Sequence, residues 1–380
     1  MSGPVVADLG EAGLLARITP LLPSGRDVLV GPGDDCAVLA APDGRYCVST
    51  DVLVEGRHFR TDWSSGFDVG ARAAAQNLAD IAAMGARPVA LVACLVLPGA
   101  TPVDWVVDLA RGMALRCRET GAAVVGGDLS AGEGLVVVVT VHGDLEGRAP
   151  VLRSGARPGQ ALVLAGTPGR AAAGLALLEA GWGRRDDDEA GLAGAAAVAG
   201  ADAALALAED CAAVFRAPRP PLKAGPALAG IGASAMMDVS DSLVRDCGRI
   251  ALASGVVIDI DDPDDDCAAL AADRAELEGV AALVPGARSA AGGTGAARGT
   301  GAAGGTGGIR PDPRETARNW VLTGGEDHGM LATVPADAAR SLPEGARVIG
   351  RVRRAGGAGP GVLVGTRPWS GAQGWDHFRA

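Results

Sequence analysis

The chain has 380 residues, 48% of them hydrophobic and 21% charged, with 45 acidic side chains against 34 basic ones and a formal net charge of -11. That length exceeds what one ordinary core fills and predicts two domains, 1–150 and 151–380. The acidic surplus argues against a nucleic-acid or anionic-membrane partner, which would need a basic face, and chemistry that requires a lysine has Lys223 as its single candidate.

In chain order, Asp27 to Gly31 and Arg45 to Asp51 read as short strands. Asp68 to Met84 is Ala-rich, can be capped by Asp68 and stops at Gly85, which predicts a helix. Pro88 to Leu97 reads as a buried strand, Val103 to Thr120 as a helix ended by Gly121, and Val124-Val125 and Leu135 to Val141 as strands, the last rich in β-branched residues. After a turn around Arg153 to Gly159, a strand is expected over Gln160 to Gly166 and an Ala/Leu helix over Arg170 to Ala180. Residues 190 to 215 are helical by composition. Asp241 to Ser254 predicts a helix and Val256 to Ile260 a strand. From 285 to 308 the residues are almost purely Gly, Ala, Thr, Ser and Arg, which predicts a disordered insertion. Structure is expected to resume near Asn319 and run to the end. The order of elements is that of an α/β chain in two units.

The seven cysteines (36, 47, 94, 117, 211, 247 and 267) contain no C-x-x-C pair, so neither a zinc knuckle nor a disulfide framework is expected and a reducing cytosol fits. The N-terminus carries no basic region followed by an apolar core. The longest apolar stretch, Pro88 to Pro98, is far short of a membrane span. A soluble, cytoplasmic protein is the expectation.

Acidic residues recur beside glycine at strand ends and turns: Gly33-Asp34-Asp35, Ser49-Thr50-Asp51, Asn77-Leu-Ala-Asp80, Gly126-Gly127-Asp128, Asp238-Val-Ser240-Asp241 and Gly324-Gly325-Glu326-Asp327. Any one of them reads first as a turn or a helix cap. Together they supply the carboxylate and hydroxyl oxygens that Mg²⁺ prefers. A P-loop, a protein-kinase set, a G-x-S-x-G elbow and an H-E-x-x-H zinc helix are all missing. Gly166-Thr-Pro-Gly169 could cradle a phosphate at a helix start, although a plain strand-to-helix connection is the preferred reading. His58, shortly after Asp51, is the most suggestive of the four histidines, with a structural role still the commoner expectation.

Taken in order with His58 and the ending Gly374-Trp375-Asp-His-Phe378, these motifs resemble the thiamine-monophosphate kinase family, from about residue 27 to the C-terminus apart from the insertion. That family shares an ATP-binding superfamily with aminoimidazole ribonucleotide synthetase and selenophosphate synthetase. The resemblance implies an α/β, two-domain (α+β) fold whose N-terminal sheets pair in a homodimer, with the nucleotide between the domains. It implies ATP as co-substrate, several Mg²⁺ ions, and phosphorylation of thiamine monophosphate to thiamine diphosphate. Asp35, Ser49, Thr50, Asp51, Asp80, Asp128, Asp238 and Asp241 match its metal ligands, and Gly127, Asp128, Arg153 and Ser240 its nucleotide contacts. His58, Glu326 and Trp375 match positions that hold thiamine phosphate. Asp51, Asp128 and Arg153 are the residues expected to carry catalysis.

The chain departs from the family pattern in two places. Ser242 stands where the family has Gly, and His328-Gly329 where it has Tyr-Glu, which puts the packing beneath the substrate site in question. The alternatives are another ATP-dependent enzyme of the same superfamily, acting on a different small phosphate, and a binding module without activity.

Overall fold

A computed structural model of the chain describes residues 3–31, 37–182, 201–284, 312–372 and 374. The expected insertion at 285–308, the N-terminal end of the helix expected over 190–215, and the site residues Asp35 and Trp375 lie outside them.

The chain opens with α1 (Val6–Ile18), followed by β1 (Val28–Val30) and β2 (Val38–Leu39), which form an antiparallel ribbon. Then come β3 (Cys47–Val54), α2 (Gly66–Ala83), β4 (Arg87–Leu97), α3 (Val103–Thr120), β5 (Ala123–Ala131) and β6 (Val136–Asp144). Their four strands make one sheet in the order β3-β6-β4-β5, antiparallel except between β4 and β5. Helix α2 starts two residues before the expected position. Ser65 is its cap: the Ser65 Oγ accepts from the Asp68 N–H at 3.2 Å while Asp68 Oδ2 accepts from the Ser65 N–H at 2.8 Å, so Asp68 is the second half of a capping box. Gly70 and Gly112 let α2 and α3 touch backbone to backbone. A Cβ on Gly70 would collide with the Leu109 carbonyl, and one on Gly112 with that of Phe67.

The second unit runs β7 (Ala161–Ala165), α4 (Arg170–Glu179), α5 (Ala201–Arg216), α6 (Ala224–Gly230), β8 (Ala235–Val239), α7 (Leu243–Ser254), β9 (Val256–Ile260), α8 (Leu270–Leu283), α9 (Pro313–Thr323), β10 (Gly329–Val334), β11 (Ala346–Arg354), β12 (Gly361–Val364) and β13 (Arg367–Pro368). Its sheet has the order β13-β12-β9-β11-β7-β10-β8, antiparallel except for β9 with β12. Asn319, near which structure is expected to resume, lies inside α9, whose cap is Asp312.

One core joins the two sheets. Leu78, Ala79 and Ala82 of α2 are buried with Val163 and Ala165 of β7, Met236 of β8 and Met330 of β10, so α2 lies between the first sheet and one face of the second. The opposite face of the second sheet, with Leu162, Leu164, Ile258 and Leu331, packs beneath α4, α7, α8 and α9. On the outer face of the first sheet the β1–β2 ribbon packs over Ala90 and Val125 of β4 and β5, while on the β3 side Tyr46, Val48 and Val52 are exposed. Among the described residues no helix is long and apolar enough to cross a membrane.

Candidate functional site

Strand alternation sorts the first cluster. Along β3 the side chains of Ser49, Asp51 and Leu53 face α2, whereas Val48, Thr50 and Val52 face outward. Opposite them, α2 presents Arg72, Gln76 and Asp80, spaced by four and therefore stacked on one stripe of the helix. Ser49 Oγ donates to Asp80 Oδ2 at 2.6 Å, and the Gln76 side chain hydrogen-bonds to Asp51. The second sheet adds Asp238, one residue before the end of β8 and paired in register with Met330 of β10.

The Gly324-to-His328 loop closes the group. Gly325 lies flat on the Ser240-Asp241 turn, where a Cβ would collide with the Ser240 carbonyl. Glu326 N–H donates to Ser240 O at 2.8 Å and His328 N–H to Val239 O at 2.9 Å. Both residues take left-handed backbone conformations, φ 68° and 51°, which non-glycine residues hold only when their surroundings impose them. The result points Glu326 at Arg72, whose Nη2 donates to Oε2 at 2.6 Å. Arg72 is buried, donates through Nη1 to Phe215 O at 2.7 Å, and sits 4.8 Å from the Phe215 ring centroid. The His328 ring lies between two carboxylates of the cluster, with Nδ1 3.0 Å from Asp238 Oδ2 and Nε2 3.6 Å from Glu326 Oε2. His58 accepts at Nδ1 from the Val54 N–H at 3.0 Å, and it is near enough for its charge to act on Glu326.

The electrostatics follow from these neighbours. Burial raises the Asp51 carboxyl, the charges of Asp238 and Glu326 add to the rise, and His328 and Gln76 oppose it. Burial, Asp238 and Asp51 push Asp80 up to about 7. Burial alone would lower His328, but its contacts with Asp238 and Glu326 push it up to about 10 and keep it cationic. Desolvation alone would raise Glu326; Arg72 and His328 outweigh it and hold the carboxyl well below its usual range. Three carboxylates that repel one another therefore sit beside one that is firmly ionised.

Asp327, the next residue, has a different task. Its carboxylate accepts from the Gly169 N–H at 2.7 Å and the Ala171 N–H at 2.8 Å, capping α4. The Gly169 amide of the Gly166-Thr-Pro-Gly169 turn and the Ala171 amide just beyond it are thus taken by a carboxylate of the chain itself. The two departures also find physical reasons. Ser242 caps α7, its Oγ accepting from the Arg245 N–H at 3.1 Å. Gly329 faces the Ala165 carbonyl of β7, which a Cβ would approach to 2.8 Å, so the position excludes a side chain.

Other expected site residues stand apart. The Thr50 hydroxyl lies on the outer face, donating to Val139 O and accepting from Thr140, both at 3.0 Å. Gly127 and Asp128 are on β5, at the opposite edge of the sheet from β3; Asp128 is exposed, accepts from Ser130 Oγ at 2.9 Å, and aligns through Cys94 and Val138 with outward-facing Val52. Three strand spacings, roughly 14 Å, and the thickness of the sheet separate it from Asp51. Asp241 is ion-paired with Arg249, which also binds Asp246 at 2.6 Å. Ser240 serves the Glu326 loop through its carbonyl. Arg153, in the connection after β6, is exposed and lines a cavity of about 690 Å³ together with Ser49, Asp80 and Asp238, with Ile81, Met84 and Met236 forming its apolar wall. Gly374, the first residue of the C-terminal motif, abuts the Asp241-Ser242 turn.

Among the described residues no three His, Cys, Asp or Glu side chains are disposed to hold a metal ion as they stand. Sequence reasoning missed Arg72, Gln76 and the roles of Asp327 and His328. The signal for the first two was a polar stripe at four-residue spacing on an Ala-rich helix, leading to Asp80.

Comparison with known proteins sets the class and then the family. Residues 33–145 match the family model of the AIR synthase related protein, N-terminal domain. Over 376 residues the chain is 41% identical to the thiamine-monophosphate kinase of Mycobacterium tuberculosis, covering 99% of this chain and 93% of that one. Over 355 residues it is 39% identical to that of Corynebacterium glutamicum, covering 93% and 88%. Among solved structures, thiamine-monophosphate kinase from Stenotrophomonas maltophilia K279a superposes with a TM-score of 0.70 at 29% identity, covering 95% of this chain and 98% of that one. AaThiL complexed with AMPPCP and TMP gives 0.65 at 25% identity, covering 98% of both. The chain belongs to the thiamine-monophosphate kinase family.

Proposed function

We propose that the protein transfers the γ-phosphoryl group of ATP to the phosphate of thiamine monophosphate, giving thiamine diphosphate. The observation that carries this reading is the convergence of Ser49, Asp80 and Asp238 on a cavity of about 690 Å³ that Arg153 also lines, with the Asp51 carboxylate close enough to Asp80 and Asp238 for their charges to act on one another. AaThiL, which aligns over 98% of this chain, has been solved with AMPPCP and TMP.

The attacking group is a phosphate oxygen, ionised at neutral pH, so no general base is required. Positioning and charge neutralisation carry the rate. Oxygen donors are what Mg²⁺ takes, and the mutual repulsion of Asp51, Asp80 and Asp238 is relieved by a cation, so these residues fit the metal. Asp51, Asp80 and Asp238, with Ser49, would hold Mg²⁺, which when bound neutralises and aligns the phosphates. Asp35 and Asp241 would join them, Asp241 by exchanging its pairing with Arg249. Arg153 offers a fork of donors to phosphate oxygens, and the apolar wall of the cavity offers a place for the base. Glu326, kept ionised by Arg72 and His328, balances a cationic thiazolium or accepts from the pyrimidine. His58 lies on the same side, and Trp375 would stack on a ring. The remaining Ser and Asp side chains are committed to these tasks, which favours direct in-line transfer.

Thr50, Gly127 and Asp128 need a second copy to reach this site. The exposed apolar face bearing Val48 and Val52 supports a homodimer built sheet on sheet. In it the β5 edge of one subunit, with Asp128, would meet the β3 edge of the other. The domains would divide between β6 and β7, near residue 150. The described cysteines are all free, in keeping with work in the cytoplasm.

The deciding experiment is a coupled assay of ATP consumption with thiamine monophosphate, thiamine and other small phosphates as acceptors. Turnover confined to thiamine monophosphate, with inversion at phosphorus, is expected. Preference for another acceptor would move the chain to a different reaction of the same class, and retention at phosphorus would overturn direct transfer.

A further inference from the structure

We propose that His328 is a positioning residue that ties the phosphate-side carboxylate Asp238 to the acceptor-side carboxylate Glu326, an inference that rests on the reaction proposed above. The ring is 5% exposed and lies between the two groups, Nδ1 3.0 Å from Asp238 Oδ2 and Nε2 3.6 Å from Glu326 Oε2. The Nε2 is buried and makes no hydrogen bond, and Glu326 Oε2 at 3.6 Å is the charged group it faces as an ion-pair partner. The backbone is bent to put it there: φ is 51°, and the peptide is pinned by the bond from its N–H to Val239 O at 2.9 Å. Asp238 and Glu326 come from different segments, β8 and the α9–β10 loop, and Arg72 reaches only Glu326. Among the described residues, the one side chain that touches both carboxylates is therefore His328.

An imidazole suits this place because its two nitrogens project in divergent directions from a rigid ring. A phenol donates at one point only, and the family's usual Tyr at this position could not serve both partners in the same way. His328 thereby fixes the orientation of Asp238 and the distance from it to Glu326, and so sets where an acceptor phosphate lies relative to an acceptor ring.

The test compares His328→Asn, which keeps a donor for Asp238 and tolerates a left-handed backbone, with His328→Phe, which keeps bulk and donates nothing. Mn²⁺ binding to each metal-free protein is followed by electron paramagnetic resonance, alongside KM and kcat for thiamine monophosphate. The Phe variant is expected to bind Mn²⁺ about tenfold more weakly. The Asn variant should bind it within about twofold of wild type while its acceptor KM rises about tenfold, because only the Glu326 contact is lost. Two folded variants that bind Mn²⁺ alike and keep the wild-type KM would overturn the proposal, as would equal loss of Mn²⁺ binding in both. Should the Phe variant fail to fold, the Asn variant decides alone: a raised KM with metal binding kept supports the role, and an unchanged KM overturns it. Wild-type protein inactive on thiamine monophosphate would instead sink the proposed reaction, and the Mn²⁺ comparison would still judge the contact with Asp238.

Discussion

Arg72 and Glu326 stand 254 residues apart in the chain and form an ion pair with Nη2 2.6 Å from Oε2, tying α2 of the first unit to the α9–β10 loop of the second. The pair is lopsided, because the Arg72 side chain is 2% exposed and that of Glu326 34%. Removing each partner therefore has a different cost. Glu326→Leu strands a buried guanidinium and should destabilise by about 3 kcal/mol. Arg72→Met leaves a carboxylate that water can reach and should lose less, about 1 to 2 kcal/mol. In the double variant no charge is stranded, so its loss should fall short of the sum by at least about 1 kcal/mol. Urea denaturation of the four proteins measures this, and strictly additive losses would show that the pair does not couple the units.

The carboxylate cluster predicts an opposition between activity and stability. Asp51 is buried beside Asp80 and Asp238, and its charge is disfavoured in the metal-free protein. Asp51→Asn should lower turnover on the order of a thousandfold, since it removes a proposed metal anchor at the transferring phosphates. The metal-free variant should nevertheless melt no lower than wild type, because one of three repelling charges is gone. Scanning calorimetry in chelator and a coupled assay at moderate Mg²⁺ check the two halves. Near-normal turnover would remove Asp51 from the site.

Asp327 follows Glu326, the carboxylate proposed to face the acceptor, yet points away from it, into the start of α4. Asp327→Ala leaves the Gly169 and Ala171 amides without their acceptor in a buried place and should cost about 2 kcal/mol. Asp327→Asn keeps one carbonyl acceptor and should lose about half as much. The loop it anchors also carries Glu326, so acceptor KM should rise in the Ala variant more than ATP KM does. Wild-type stability of the Ala variant in urea would show that the cap contributes nothing.

Much of this was legible in the sequence. The span of α3 follows from its apolar period and from Gly121, and the strands of the second sheet are announced by short β-branched runs such as Val256 to Ile260. The motifs locate Asp51, Asp80, Asp238 and Glu326, which the fold does gather. What the sequence hides is the face each residue takes. Thr50 and Asp51 are adjacent and read as one ligand pair, but strand alternation sends them to opposite sides of the sheet. Gly126-Gly127-Asp128 reads like the other motifs, and only the strand order β3-β6-β4-β5 reveals that it lies at the far edge. Long-range partners such as Arg72 with Glu326 or His328 with Asp238 depend on how α2 is enclosed by two sheets, which local propensity does not encode.

The far edge gives the sharpest test of subunit sharing. If Asp128 acts within its own chain, a mixture of Asp51→Asn and Asp128→Asn proteins contains no intact site in any combination. If it acts across a sheet-on-sheet dimer, a mixed dimer has one site with both substitutions and one site with neither. Random reassortment makes half of the dimers mixed, so activity should recover to about a quarter of wild type. Each variant alone should stay near background before and after the same subunit exchange. If the proposed sheet-on-sheet dimer forms, Val52→Lys, which places a charge on the exposed apolar face, should bring the protein from dimer to monomer mass in light scattering and lower turnover with it. Recovery to about a quarter on mixing assigns Asp128 to the neighbouring subunit's site. No recovery, with subunit exchange verified by a fluorescent label, assigns it elsewhere, because no rearrangement within one chain brings an outward-facing β5 side chain through the sheet to Asp51.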